Sequence, residues 1–135
     1  MTLGPVLEFM SLLWAADHGL DRVSKRMEVA MGVTGPQRLA IRILGRYPWI
    51  TAGRLAAMMH VHPSTLTGIL RRLEARHLLL RRIDARDGRR ALLRLTSEGK
   101  RCDARRAGTV EAIVEKVLAQ LSSKNAAVSR PKSAA

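Results

Sequence analysis

The sequence predicts a mostly α protein with one small β-hairpin set among its helices. Three observations predict it. Apolar residues recur at spacings of three and four over most of the 135 residues, which is the period of an amphipathic helix. Residues 78–95 break that rhythm into two short runs flanking an Asp-Gly pair, the signal of a hairpin. Gly32, Pro36, Thr51, Pro63 and Thr96 punctuate the chain where helices begin or end.

The first helix is expected from about Pro5 to Met31. Val6, Met10, Leu13, Leu20, Met27 and Met31 form one stripe, flanked by Leu7 and Trp14, with Gly19 as a candidate kink. Such a stripe is longer than a small lobe needs, so a second subunit is the favoured cover. Residues 32–36 read as a turn, and Pro36 opens a helix that carries Leu39, Ala40, Ile43 and Leu44 inward and ends at 45–48. Thr51 caps a short helix, 52–59, with Leu55, Met58 and Met59 inward. His60-Val61-His62 makes a tight turn, with His62 as a cap, and Pro63 starts a helix running to about Arg76.

Residues 78–83 and 90–95 are strand-like, and Asp84-Ala85-Arg86-Asp87-Gly88-Arg89 lies between them. Ala91, Leu93 and Leu95 share one face, as in a strand buried on one side. Thr96 caps the last predicted helix, 97–121, with Val110, Ile113, Val114, Val117, Leu118 and Leu121 as its stripe. The organisation is therefore an N-terminal helix (1–31), a central lobe (32–96), a C-terminal helix (97–121) and a flexible polar tail (122–135). No repeats occur.

Charge narrows the function. Lys and Arg number 24 against 11 Asp and Glu, a net of +13. Residues 1–30 carry 3 basic and 4 acidic side chains, whereas 70–106 carry 13 and 5. A polycation confined to the middle of the chain points to a polyanionic partner. Only Phe9, Trp14, Tyr47 and Trp49 are aromatic, too few and too scattered to stack single-stranded bases. Double-stranded DNA fits better. A membrane surface ranks last, because the arginines do not lie opposite an apolar helix face, and no run is long enough to span a bilayer.

The order helix, tight turn, helix, basic hairpin is that of a winged helix-turn-helix. In helix 63–76, Leu66, Ile69, Leu70 and Leu73 face inward, and Ser64, Thr65, Gly68, Arg71, Arg72 and Ala75 face outward. Small polar groups at the helix start can approach base edges, and arginines further along can reach guanine or phosphate. On the hairpin, Arg89 is the expected minor-groove finger. Asp87 is expected to hold its guanidinium by a fork-like pair, with Arg86 and Arg90 beside it.

Several stretches together carry a family resemblance. They are Val33-Thr34-Gly35-Pro36-Gln37, Ala52-Gly53-Arg54-Leu55-Ala56, Pro63-Ser64-Thr65-Leu66-Thr67-Gly68-Ile69-Leu70-Arg71-Arg72-Leu73-Glu74, Asp84-Ala85-Arg86-Asp87-Gly88-Arg89-Arg90 and Leu95-Thr96-Ser97-Glu98-Gly99. The chain resembles the MarR family of multiple antibiotic resistance regulators, strongly over residues 30–100. The resemblance implies a homodimeric bacterial transcription factor, in which N- and C-terminal dimerisation helices of two chains interlock and the wings reach minor grooves. By that match Ser64, Thr65, Thr67 and Arg71 read or flank bases, Arg72 grips a phosphate, and Asp87, Arg89 and Arg90 belong to the wing. Many members of that family are repressors released from DNA by a small phenolic or anionic ligand bound between the dimer helices and the DNA-binding lobe, and others sense oxidants or metals; the resemblance implies the ligand-released kind for this chain. Gly68 departs from the family's usual larger residue. The polar tail leaves most of the dimer contact to the N-terminal helix.

Other chemistry is not supported. Cys102, beside Lys100 and Arg101, reads as a plain structural or exposed cysteine rather than as an oxidant sensor. His18, His60, His62 and His77 do not make a ligand set, and read as turn, cap or surface residues. No phosphate loop, nucleophile elbow or paired carboxylates appear, so neither an enzyme nor a cofactor is expected. The expected location is the cytoplasm. The competing reading is an architectural protein that coats DNA without sequence preference.

Overall fold

Every helix but the first, which begins at Gly4-Pro5 with no side-chain cap, starts where a side chain takes an orphan N–H group. Thr34 accepts the Gln37 N–H (3.3 Å) while the Gln37 side chain takes the Thr34 N–H (3.1 Å), a reciprocal capping box. Thr51, His62 and Thr96 cap the helices that follow them. The computed structural model describes residues 2–129. Among these the elements are α1 Pro5–Met31, α2 Gly35–Arg46, β1 Ile50–Thr51, α3 Ala52–Met59, α4 Pro63–Ala75, β2 Leu79–Asp84, β3 Asp87–Leu95, α5 Ser97–Ala104 and α6 Val110–Ser129. The fold is the mostly α winged helix-turn-helix that the sequence predicts. None of the described helices is long and apolar enough to cross a membrane.

The core lies between α2, α3, α4 and the sheet. Ile41, Leu44, Leu55, Leu66, Leu70, Leu73, Leu93 and Leu95 are all buried there. On α2 the inward face is Gln37, Arg38, Ala40, Ile41 and Leu44; Leu39, two residues from Ile41 and so about 200° around the helix, is exposed. Met58 is likewise exposed, and Ala56 takes its expected inward place. Helix α1 runs unbroken through Gly19. Only its C-terminal end meets the lobe, through buried Met27.

Three expectations are corrected. The sheet has a third strand, in the order β1-β3-β2, all antiparallel, with Ile50 opposite Leu93. A two-residue strand has no period to read. The hairpin turns at Ala85-Arg86, since Asp84 pairs with Asp87, and the Asp84 carboxylate accepts the Arg86 N–H (3.0 Å). The next pair is Ile83 with Ala91, which leaves Gly88, Arg89 and Arg90 bulged from β3. Finally, the predicted helix 97–121 is two helices, and the second continues to Ser129. No Gly or Pro interrupts the chain between Thr109 and Pro131, so nothing stops α6 at 121. Residues 130–135 of the predicted tail, and the side chain of Leu121, lie outside those described.

Arg38 explains the break between α5 and α6. Its side chain is 1 % exposed. Its guanidinium donates to the carbonyls of Cys102 (2.6 Å), Arg105 (2.6 Å) and, at 3.4 Å, Asp103. A continuing helix would have used these carbonyls itself. Nε and Nη2 donate to Glu111 Oε1 at 2.8 and 2.5 Å. Arg42, one turn on, pairs with Asp103 at 2.7 Å. Gly108 (φ 75°) makes the bend, and Thr109 Oγ1 accepts the Ala112 N–H to cap α6. Burial pushes the Glu111 carboxyl pKa up, but hydrogen bonds from Arg38 and its own backbone N–H, with the charges of Arg38 and Arg42, outweigh it. The carboxyl is held below its ordinary value.

Candidate nucleic-acid interface

The helix-turn-helix is α3, the turn at His60-Val61-His62, and α4. His60 adopts the left-handed conformation that ends α3 (φ 55°), and His62 Nδ1 accepts the Ser64 N–H (3.1 Å). Leu66, Ile69, Leu70 and Leu73 bury one face of α4. That leaves Ser64, Thr65, Thr67, Gly68, Arg71 and Arg72 exposed on the other, as the apolar spacing predicts. Their hydroxyls are not equivalent. Ser64 Oγ lies 2.7 Å from His62 Nδ1, and Thr67 Oγ1 donates to the Pro63 carbonyl (2.9 Å). Thr65 makes no such contact among the described residues, and Thr67 keeps its acceptor lone pairs. Arg71 and Arg72 have no carboxylate partner among the described residues.

The wing places Arg86, Arg89 and Arg90 together on an exposed tip. Asp87 does not form the expected fork with Arg89. Its Oδ1 accepts the Arg89 backbone N–H (3.0 Å), and its Oδ2 lies 3.8 Å from Arg90 Nε. The aspartate shapes the backbone of the bulge and leaves the Arg89 guanidinium extended into solvent.

Two supports were not read from the sequence. Glu74, at the end of α4, pairs with Arg81 of β2 (2.7 Å), which braces the exposed helix against the wing. Trp49 is held with positive φ (64°), and its N–H donates to the Leu93 carbonyl (2.8 Å). Arg82 lies over its indole at 4.1 Å and Arg94 at 5.4 Å, so the base of the wing is clamped by cation–π contacts. Not every arginine counted toward the polycation is available to a partner. Arg38, Arg42 and Arg81 are consumed by internal ion pairs, and Arg76 donates to the Gly32 carbonyl at the end of α1. A charged residue at an inward position of α2 was the one available signal for Arg38.

An exposed polar helix face, its preceding tight turn and a basic β-tip define a winged helix-turn-helix protein. Residues 33–91 match the family model described as MarR family. The chain is 28 % identical over 88 residues to the organic hydroperoxide resistance transcriptional regulator of Bacillus subtilis, covering 65 % of this chain and 60 % of that protein. It is 30 % identical over 91 residues to the HTH-type transcriptional repressor Rv2887 of Mycobacterium tuberculosis, covering 67 % and 66 %. The match thus spans just under two thirds of these relatives. The PcaV transcriptional regulator from Streptomyces coelicolor superposes with a TM-score of 0.70 at 28 % identity, over 87 % of this chain and 86 % of that one. Residues 33–91 carry the winged helix-turn-helix pattern of the MarR family, and the fold of the chain is similar to that of a solved transcriptional regulator.

Proposed function

We propose that this protein is a homodimeric transcriptional repressor that binds a pseudo-palindromic double-stranded DNA operator. Residues 63–76 enter the major groove and the wing, 78–95, reaches the minor groove. The carrying observation is the division of α4 into a fully buried leucine-rich face and a wholly exposed face of Ser64, Thr65, Thr67, Arg71 and Arg72. The exposed arginines of the wing lie beyond it. Such a rod can enter a groove without disturbing the core. The match of residues 33–91 to the MarR family model and the regulator and repressor names of the relatives support the same reading.

Dimerisation is supported by surface that one chain cannot cover. Val6, Leu7, Phe9, Leu13 and Trp14 on α1, and Ile113, Val117 and Leu118 on α6, are all at least 40 % exposed. An apolar face of that extent marks an interface. A second copy buries it and sets two recognition helices on one face of the duplex. A small phenolic or anionic effector releases the DNA, and the protein acts in the cytoplasm.

Selection of bound duplexes from a random pool tests this, repeated with candidate metabolites. The expected product is an inverted repeat with half-sites about 34–36 Å apart. It should be retained against roughly a thousandfold excess of random duplex. Enrichment of no sequence at all establishes the architectural reading instead.

A further inference from the structure

Arg38 is the only fully buried charged side chain among the described residues, and it is nowhere near the exposed face of α4. It stands on α2, which packs on α1, α3, α4, α5 and β3, and so belongs to the rigid body that carries the recognition helix. Its hydrogen bonds run the other way, to the end of α5 and to Glu111 in the first turn of α6. Arg42 doubles the contact through Asp103, with Glu111 3.6 Å away. This cluster therefore ties the root of α6 to the DNA-binding lobe, beside the packing of Val110 on the core and of α6 on α1.

The angle at which α6 leaves the lobe has leverage. A 20-residue helix such as α6 is about 30 Å long. A swing of about 5° at its root moves the far end by roughly 2.6 Å over that length, close to the 3.4 Å rise of one base pair. A two-fold pair built on α1 and α6 carries each lobe at the end of such an arm. We propose that Arg38 and Glu111 are positioning residues that set the half-site spacing the dimer accepts. They touch no DNA and read no base, but they hold the two copies of α4 at one separation. The inference rests on the dimeric DNA-binding reading above.

The test uses the full chain, its selected operator, and duplexes with one base pair added to or removed from the centre. Glu111→Gln keeps an oxygen for Arg38 but removes the charge that holds the guanidinium fork. Glu111→Asp keeps the charge on a side chain one methylene shorter, and serves if Glu111→Gln does not fold. Wild type is expected to prefer one spacing. Either variant should lower that preference, read as the ratio of affinities for correct and altered spacers, by about fivefold or more. Affinity for an isolated half-site should stay within about twofold, because the base-reading face is untouched. A folded, dimeric variant that keeps the wild-type ratio overturns the inference. So does a variant that loses affinity for every duplex in parallel, including the half-site, since that is a stability effect alone. If wild type itself shows no spacing preference, the dimeric operator reading has failed first, and the half-site measurement shows whether any specific DNA binding survives.

Discussion

Replacing Gly99 by alanine should reverse the ordinary helix preference. Gly99 is buried in the first turn of α5, where this turn lies on the start of β2. A Cβ there would sit 2.2 Å from the Leu78 carbonyl oxygen, 3.1 Å from its carbon and 3.2 Å from Leu95 Cβ. Ordinary contact needs about 3.5 Å, so α5 must retreat by roughly 1 Å from a strand that cannot yield. The same carbonyl accepts the Thr96 N–H (3.1 Å), and Thr96 Oγ1 accepts the Gly99 N–H (3.0 Å), so the retreat strains the cap as well. Overpacking costs about 1–3 kcal/mol and a weakened cap about 1 kcal/mol. Alanine's helix propensity returns about 1 kcal/mol. The net is a loss of about 2 kcal/mol, or roughly 6–10 °C in Tm for a chain of this size. Gly19 is the control, for nothing lies within 4 Å of its Cβ position on α1. Gly19→Ala should therefore stabilise by about 0.5–1 kcal/mol. Urea unfolding followed by circular dichroism, at fixed chain concentration, measures both. A Gly99→Ala protein as stable as wild type at an unchanged m-value would refute the close packing of α5 on Leu78.

Three further outcomes are expected. Arg38→Met should cost about 3–5 kcal/mol in the same urea assay, because Glu111 and the α5 carbonyls lose their buried donor; a loss under about 1 kcal/mol would mean the pair contributes little. Glu111 carries a lowered pKa, so its stabilisation is complete above the unfolded-state pKa and is lost as pH falls through the folded one. The stability gap between wild type and Glu111→Gln should thus be flat from neutral pH to about 5 and shrink below about 4, and a gap that widens on acidification would contradict the assignment. Arg89→Ala should weaken operator binding by about tenfold while leaving the urea midpoint within experimental error, since the side chain is exposed; equal binding by fluorescence anisotropy would remove the wing finger from the account.

The parts legible beforehand share one property: they follow from neighbours close in the chain. The bounds of α1 and α3 and the capping roles of Thr51, His62 and Thr96 match their prediction residue for residue. So does the inward leucine set of α4. The failures involve partners far away in sequence. Leu39 carried the right chemistry for a core but lies on the wrong side of α2, because α5 and the lobe press together on the Arg38 side. Sequence alone points Asp87 to the Arg89 guanidinium, and the bulge in β3 turns it to the Arg89 backbone N–H instead. The site residues Ser64, Thr65, Thr67, Arg71 and Arg72 could be chosen from helical period alone. Their inequality as donors could not, since it depends on where His62 and Pro63 put their acceptors.

Period, capping chemistry and charge distribution by themselves determined that this protein is a basic winged helix-turn-helix with one polar helix face turned outward. These are local quantities, written within a few residues of where they act. Tertiary structure alone decided where the last helix bends, which arginines remain available to a partner, and how the lobe is joined to α6. A buried guanidinium finds its acceptors in space, and Arg38 meets Glu111 across 73 residues of chain, a separation over which no sequence period carries information.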